Sequence, residues 1–203
     1  MRKLSVQTFL TLDGVMQGPG GPGEDDSGGF THGGWSVKYW DDQMGQVMTE
    51  SMSRAFDMLL GRRTYEIFAA HWPRVTDDPT ADVLNGAKKH VASTTLDKVE
   101  WQNSTLLKGD VGQAVGKLKE ESGPDIQVHG SGNLIQTLMQ HDLVDEYSLW
   151  TFPVLLGSGK RLFAKGTMPG GLKVIETRTS STGVIMTRYE RAGDIAYGTF
   201  RLE

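Results

Sequence analysis

The sequence predicts an α/β protein with a central mixed, mostly parallel sheet, helices on both faces and a C-terminal antiparallel hairpin. Three observations carry that expectation. Two strand–glycine–helix units, one from Met58 to Ala70 and one from Asp125 to Leu138, have the spacing of parallel strand-to-helix transitions. Strand and helix patterns alternate through the middle of the chain. The last two strand patterns, Leu172 to Thr182 and Gly183 to Arg191, meet at Thr182-Gly183 as a hairpin does.

At 203 residues the chain has room for one full core and is short for two, so a single domain over residues 1–203 is expected. Hydrophobic residues make up 37% and charged residues 23%, an ordinary globular balance. A net charge of −4 argues against nucleic acid as a partner, because counterion release needs a clustered basic face. The absence of cysteine removes disulfides, thiolate nucleophiles and zinc-thiolate sites. The N-terminal apolar residues alternate with polar ones, and no stretch is long and apolar enough to span a bilayer, so a soluble, cytoplasmic protein without a membrane partner is expected.

Lys3 to Leu12 alternates as a strand should, with Leu4, Val6, Leu10 and Leu12 on one face, and ends at the turn Asp13-Gly14. A strand at the N-terminus is expected to lie centrally. Residues 15–35 hold a glycine- and proline-rich excursion too long for an ordinary connection, which reads as either a disordered surface insertion or a lid. Tyr39 to Arg54 places Met44, Val47, Met48, Met52 and Ala55 at helical spacing. Met58 to Leu60 is a short buried strand broken by Gly61, and Thr64 to Ala70 a helix. Thr80 to Lys89 reads as a short helix, His90 to Ser93 and Ser104 to Lys108 as strands. Asp110 is an N-cap for a helix to Glu121, stopped by Gly123-Pro124. Val144 to Leu156 reads as strand interrupted by Pro153.

The stretch D-I-Q-V-H-G-S-G-N-L-I-Q-T-L at 125–138 is a strand, a glycine turn and a helix start. There, backbone N–H groups lack intrahelical partners and the helix dipole is positive, so a phosphate can bind. The dinucleotide fingerprint is only partly met, since Ile135 stands where the third glycine belongs. Gly159-Lys160 is not a P-loop, because Arg161 replaces the hydroxyl residue that would hold magnesium. Ser131 lacks the glycine spacing of a nucleophile elbow. The histidines show no metal-ligand spacing, so no metal is expected, and His129 reads as a turn residue. A second anion site opens at Gly61-Arg62-Arg63-Thr64, where two fixed cations and a hydroxyl start a helix. Ser93-Thr94 ends a further strand with two hydroxyls. Three strand ends carrying phosphate-binding groups suit a dinucleotide with an extra phosphate.

The motifs G-R-R-T-Y-E (61–66), H-G-S-G-N-L (129–134), L-V-D-E-Y (143–147) and P-V-L-L-G-S-G-K-R-L-F (153–163), in that order, resemble the dihydrofolate reductase-like family. The branch they resemble more narrowly includes the C-terminal reductase domain of the bifunctional riboflavin-biosynthesis deaminase-reductase. The resemblance runs from Lys3 to about Arg191. It implies a three-layer fold and NADPH as cofactor for hydride transfer to a pterin-, folate- or aminopyrimidine-type small molecule. Arg62 would face the 2′-phosphate, with Ser93 and Thr94 beside it. Gly61, Arg63 and Thr64 would hold the pyrophosphate from one side and Gly130, Ser131, Gly132 and Asn133, followed by Leu134, from the other. Asp13-Gly14 and the loop after it would form the lid over the nicotinamide. Asp41, Asp42 and Glu50 are the proton-donor candidates, with no motif to choose between them, and an NADP(H)-binding protein without chemistry is the alternative. The terminal hairpin and Val144 to Phe152 would build a homodimer contact.

Overall fold

The computed structural model describes residues 1–200. Eight strands form one sheet: β1 (Leu4–Thr11), β2 (Phe56–Gly61), β3 (Lys89–Ala92), β4 (Ser104–Leu107), β5 (Asp125–Gly130), β6 (Glu146–Phe152), β7 (Leu172–Thr179) and β8 (Ile185–Arg191). Their order is β4-β3-β2-β5-β1-β6-β8-β7. The first six in that order pair in parallel, and β8 and β7 then close the sheet antiparallel. As the N-terminal strand was expected to be, β1 is central, lying between β5 and β6.

Five α-helices among the described residues cover the two faces: α1 (Asp42–Met52), α2 (Arg62–His71), α3 (Pro79–Gly86), α4 (Val111–Glu120) and α5 (Gly132–Gln140). Because strand side chains alternate, each strand serves both layers. Leu4, Val6, Ile126 and Val128 pack with Val115 and Leu118 of α4 and Leu134, Ile135 and Leu138 of α5. On the opposite face Met58, Leu60 and Val91 pack with Tyr65 of α2 and Leu84 of α3, while Trp150, Phe152 and Met186 receive Met44 of α1.

Several boundaries differ from the sequence pattern. β1 stops at Thr11, so Leu12 is 66% exposed rather than on the buried face. α1 starts only at Asp42, because the Asp41 side chain caps it by accepting from Met44 N, and Ala55 lies beyond its end, exposed. β6 begins at Glu146 and ends at Phe152, ahead of Pro153. The hairpin strands stop at Thr179 and restart at Ile185, with Gly183 at φ +86° between them. His129 is a strand residue of β5, not part of the turn. Asp110 does cap α4, accepting from Gln113 N at 2.8 Å. No helix among the described residues is long and apolar enough to cross a membrane.

Candidate active site

Parallel strands bring their carboxyl ends to one edge of the sheet, where ligands bind in such folds. Here β2 and β5 are neighbours, so the turn after Gly61 and the turn after Gly130 lie side by side. Thr64 N donates to Ser131 Oγ at 3.3 Å, and the two hydroxyls are 3.2 Å apart. A Cβ on Gly61 would lie 2.7 Å from Ser131 Oγ, and one on Gly130, whose φ is +144°, 2.5 Å from Thr64 Oγ1. Only glycine permits this approach. The Gly130–Ser131 peptide is cis. The N-cap residues Gly61 and Ser131 make no capping bond to their own helices, and apart from Thr64 N, which Ser131 Oγ takes, first-turn N–H groups of the two adjacent helices are left to an anion. A dinucleotide pyrophosphate fits this glycine-lined cradle.

A cleft of about 850 Å³ opens from the cradle across the sheet face that carries α1 and α2. Of the residues nominated from sequence, Arg63, Thr64, Gly130, Ser131, Gly132 and Glu50 line it. The others stand elsewhere. Arg62 is outside the cleft wall, with Nε 2.7 Å from Glu66 and Nη1 2.6 Å from Thr95. Ser93 Oγ accepts from the N–H groups of Thr95 and Leu96 and shapes the turn that presents Thr95, while Thr94 is exposed. Asn133 is exposed, and Leu134 is buried in the core under α5.

Asp13 accepts from the Thr11 hydroxyl at 2.6 Å and from the N–H groups of Leu156 at 3.2 Å and Gly157 at 2.9 Å. The Thr11 bond is the main reason that its carboxyl is held at about 2, against the opposing effect of burial. Gly14, at φ +82°, turns the chain away from it. Together they fasten the start of the lid to the 156–161 loop.

The lid is an ordered loop. Trp35 Nε1 and Ser36 Oγ donate to Gln17 O and Pro19 O, each at 2.8 Å, and the Gln17 amide donates to Asp25 O at 3.1 Å. Lys160 Nζ lies 2.7 Å from Asp25 Oδ2, and Arg63 Nη2 reaches Glu24 O at 3.4 Å. Residues 157–160 clip the lid at two points, Gly157 N–H to Asp13 and Lys160 to Asp25.

The three proton-donor candidates stand in different surroundings. Asp41 Oδ2 accepts from Ser181 N and Oγ, and the Ser181 hydroxyl is the first cause holding its carboxyl below the ordinary range. Asp42 is exposed in the first turn of α1. Glu50 lines the cleft with Oε2 2.7 Å from Arg178 Nη1. A carboxylate not singled out from sequence, Glu24 of the lid, also lines the cleft, and burial pushes its carboxyl up despite bonds from Gly20 and Gly21 N–H. The floor carries Gln127 and His129 of β5. Their signal was present in the strand alternation, since Ile126 and Val128 facing one core put residues 127 and 129 on the other face. Among the described residues no group of three or more His, Asp or Glu side chains is placed to hold a metal ion.

The family model of the RibD C-terminal domain matches residues 2–186. The chain belongs to the RibD C-terminal domain family. This family member is 30% identical over 196 residues to the uncharacterized protein YyaP of Bacillus subtilis (strain 168), covering 95% of this chain and 96% of that one. It is 29% identical over 136 residues to YwjB of the same organism, covering 66% and 73%. Among solved structures, a putative riboflavin biosynthesis protein from Shewanella sp. PV-4 superposes with a TM-score of 0.71 at 23% identity, over 94% of this chain and 99% of that one. A pyrimidine reductase-like protein from Corynebacterium diphtheriae gives 0.64 at 12%, over 95% and 93%. Dihydrofolate reductase from Enterococcus faecalis, complexed with NADP(H), gives 0.58 at 11%, over 93% and 96%. These likenesses establish a dihydrofolate reductase-like fold for the RibD C-terminal domain described here.

Proposed function

We propose that this protein is an NADPH-dependent reductase that passes hydride to a pterin-, folate- or aminopyrimidine-type small molecule. Membership of the RibD C-terminal domain family supports a reductase-type function. The observation that carries the reading is the paired cradle at Gly61 and Gly130, opening onto one large cleft. Gly61, Arg63 and Thr64 on one side and Gly130 to Asn133 on the other would hold the pyrophosphate. Arg62, with Thr95 and the Ser93 turn beside it, would meet the 2′-phosphate. When bound, the nicotinamide supplies the hydride. This chain's residues position the partners, and the clipped lid excludes water from the cleft. The reading includes a homodimer acting in the cytoplasm.

One observation favours a second reading, an NADP(H)-binding protein without chemistry: Asp41 and Glu50 are both bonded to the C-terminal hairpin. Titration calorimetry with NADPH, followed by absorbance at the NADPH band with pterin, folate and aminopyrimidine substrates, separates the two. Oxidation of NADPH supports the reductase. Tight binding without oxidation by any substrate supports the binder, and absence of binding sinks both.

A further inference from the structure

Three buried side-chain polar atoms among the described residues have no hydrogen-bond partner: Ser104 Oγ, Gln127 Oε1 and His129 Nε2. The last two belong to neighbours on one strand face that line the same cleft. Buried polar groups are almost always paired, and leaving one unpaired is costly. Two orphans side by side at the floor of a cleft therefore point to a ligand that completes them.

The roles of the two groups are constrained. Gln127 is 93% buried (7% exposed), and its amide Nε2 donates to Ser51 O at 3.3 Å, which leaves Oε1 as a fixed acceptor. Burial lowers His129 to about 4, so near neutrality the imidazole is uncharged and offers one N–H and one lone pair. Being two apart on β5, the side chains lean into the cleft from the same face. Gln127 stands in register with Ser5 of β1, another uncharged lining residue. Phe9 and Trp150, whose rings stack at 5.1 Å, lie on one side of this polar strip, and Phe68 contacts the His129 ring at 6.1 Å on the other. Such walls suit a flat ring. The cleft's charges near the hairpin are already matched: Arg178 to Glu50 and Glu176, and Arg188 to Glu146.

We propose that Gln127 and His129 are the specificity-determining pair of this cleft, reading the adjacent N–H and C=O edge of an uncharged, planar lactam, with the lactam N–H donated to Gln127 Oε1 and its carbonyl accepting from His129. The proposal rests on the reductase reading for the identity of the cleft as a substrate site, but its recognition step needs no cofactor.

The test measures binding of pterin and 5,6-diaminouracil, and of their N3-methyl counterparts, to wild type, Gln127→Leu and Gln127→Glu, each with and without saturating NADP. A lactam should bind wild type at least about tenfold more tightly than its N3-methyl form and lose about that factor in Gln127→Leu. Gln127→Glu, which keeps the acceptor, should recover most of the loss, and in turnover the effect should fall on KM more than on kcat. The proposal is overturned if neither lactam binds wild type, if methylation makes no difference, or if Gln127→Leu binds as wild type does. Failure of NADP to bind, with the lactam pattern intact, would remove the reductase reading and leave this pair standing.

Discussion

Lys160 Nζ and Asp25 Oδ2, separated by 135 positions in the chain, meet at 2.7 Å and fasten the lid across the mouth of the cleft. The second hydrogen bond from Lys160, to Ser27 Oγ at 2.6 Å, braces the same turn. Lys160→Ala should therefore speed amide exchange over residues 17–27 and lower kcat/KM by up to about a hundredfold, the cost of a positioning element displaced by about 1 Å. Exchange measured by mass spectrometry on wild type and variant checks the first part. The sign with pH follows from Asp25: burial alone would raise its carboxyl, but the bonds from Lys160 and Ser27 outweigh burial and lower it. A depressed acid keeps its contribution above the ordinary value of 3.8 and loses it as pH falls through the folded value. The lid should thus stay fastened through neutral and mildly acidic pH.

The two glycines around Ser131 should respond differently to alanine. At Gly130 the new Cβ would lie 2.5 Å from Thr64 Oγ1, in a backbone conformation, φ +144°, that side chains rarely adopt. At Gly132 the nearest atom is Met16 Sδ at 3.4 Å. Gly130→Ala should lose about 2 kcal/mol or more of stability, whereas Gly132→Ala should stay within about 0.5 kcal/mol. Urea denaturation of both variants measures this. Equal losses would mean that the contact between the two turns is not what requires glycine at 130.

Arg62 is half exposed, and its guanidinium is pre-oriented by Glu66 and Thr95. A charge-assisted bond to the 2′-phosphate is worth about 1.5–3 kcal/mol, so Arg62→Ala should weaken NADPH roughly tenfold to a hundredfold. NADH, which lacks that phosphate, should barely change. Calorimetry with both cofactors decides it, and equal losses would place Arg62 elsewhere.

The elements around 125–138 and 58–70 were legible because apolar period, glycine position and helix start all lie within about a dozen residues of one another. Each turn was legible as a local anion site for the same reason, but the bond that joins them, Thr64 N to Ser131 Oγ, spans 67 positions. What sequence spacing could not show is contact between distant segments. Asp13 bonds to Gly157 N, 144 positions away, so a turn signal gave no hint that its carboxylate clamps a loop. Asp41 and Glu50 likewise bond hairpin residues far along the chain, Ser181 and Arg178, which local spacing does not show. His129 shows a different failure: its place beside Gly130 made it read as turn, although the preceding alternation continues through it.

The edge strand β7 leaves Leu172, Val174 and Ile175 between 41% and 53% exposed, and Ile185 of β8 44% exposed. By register Val174 lies with Tyr189 and Tyr147, and Ile185 with Thr151, so both project from the face opposite Trp150 and Arg188. An apolar sheet edge of this kind is ordinarily covered. A homodimer through the hairpin should give twice 22.3 kDa by light scattering. Val174→Lys combined with Ile185→Lys should return the monomer mass while circular dichroism stays unchanged. A monomeric wild type would refute the dimer.

His129 also sets a stability profile. Its folded-state value of about 4 lies below the ordinary 6.5, because burial penalises the charged ring. Between those values the unfolded chain binds the proton and the folded chain does not, so stability rises with pH, by up to about 1.4 kcal/mol per unit. The contribution is complete above 6.5, shrinks as pH falls, and has no further slope below about 4. His129→Phe should flatten this part of the profile while other titrating groups act equally on both proteins, so the difference between the two urea-denaturation curves isolates the ring. If the curves for wild type and variant run parallel from pH 4 to 6.5, the imidazole is not held neutral by burial.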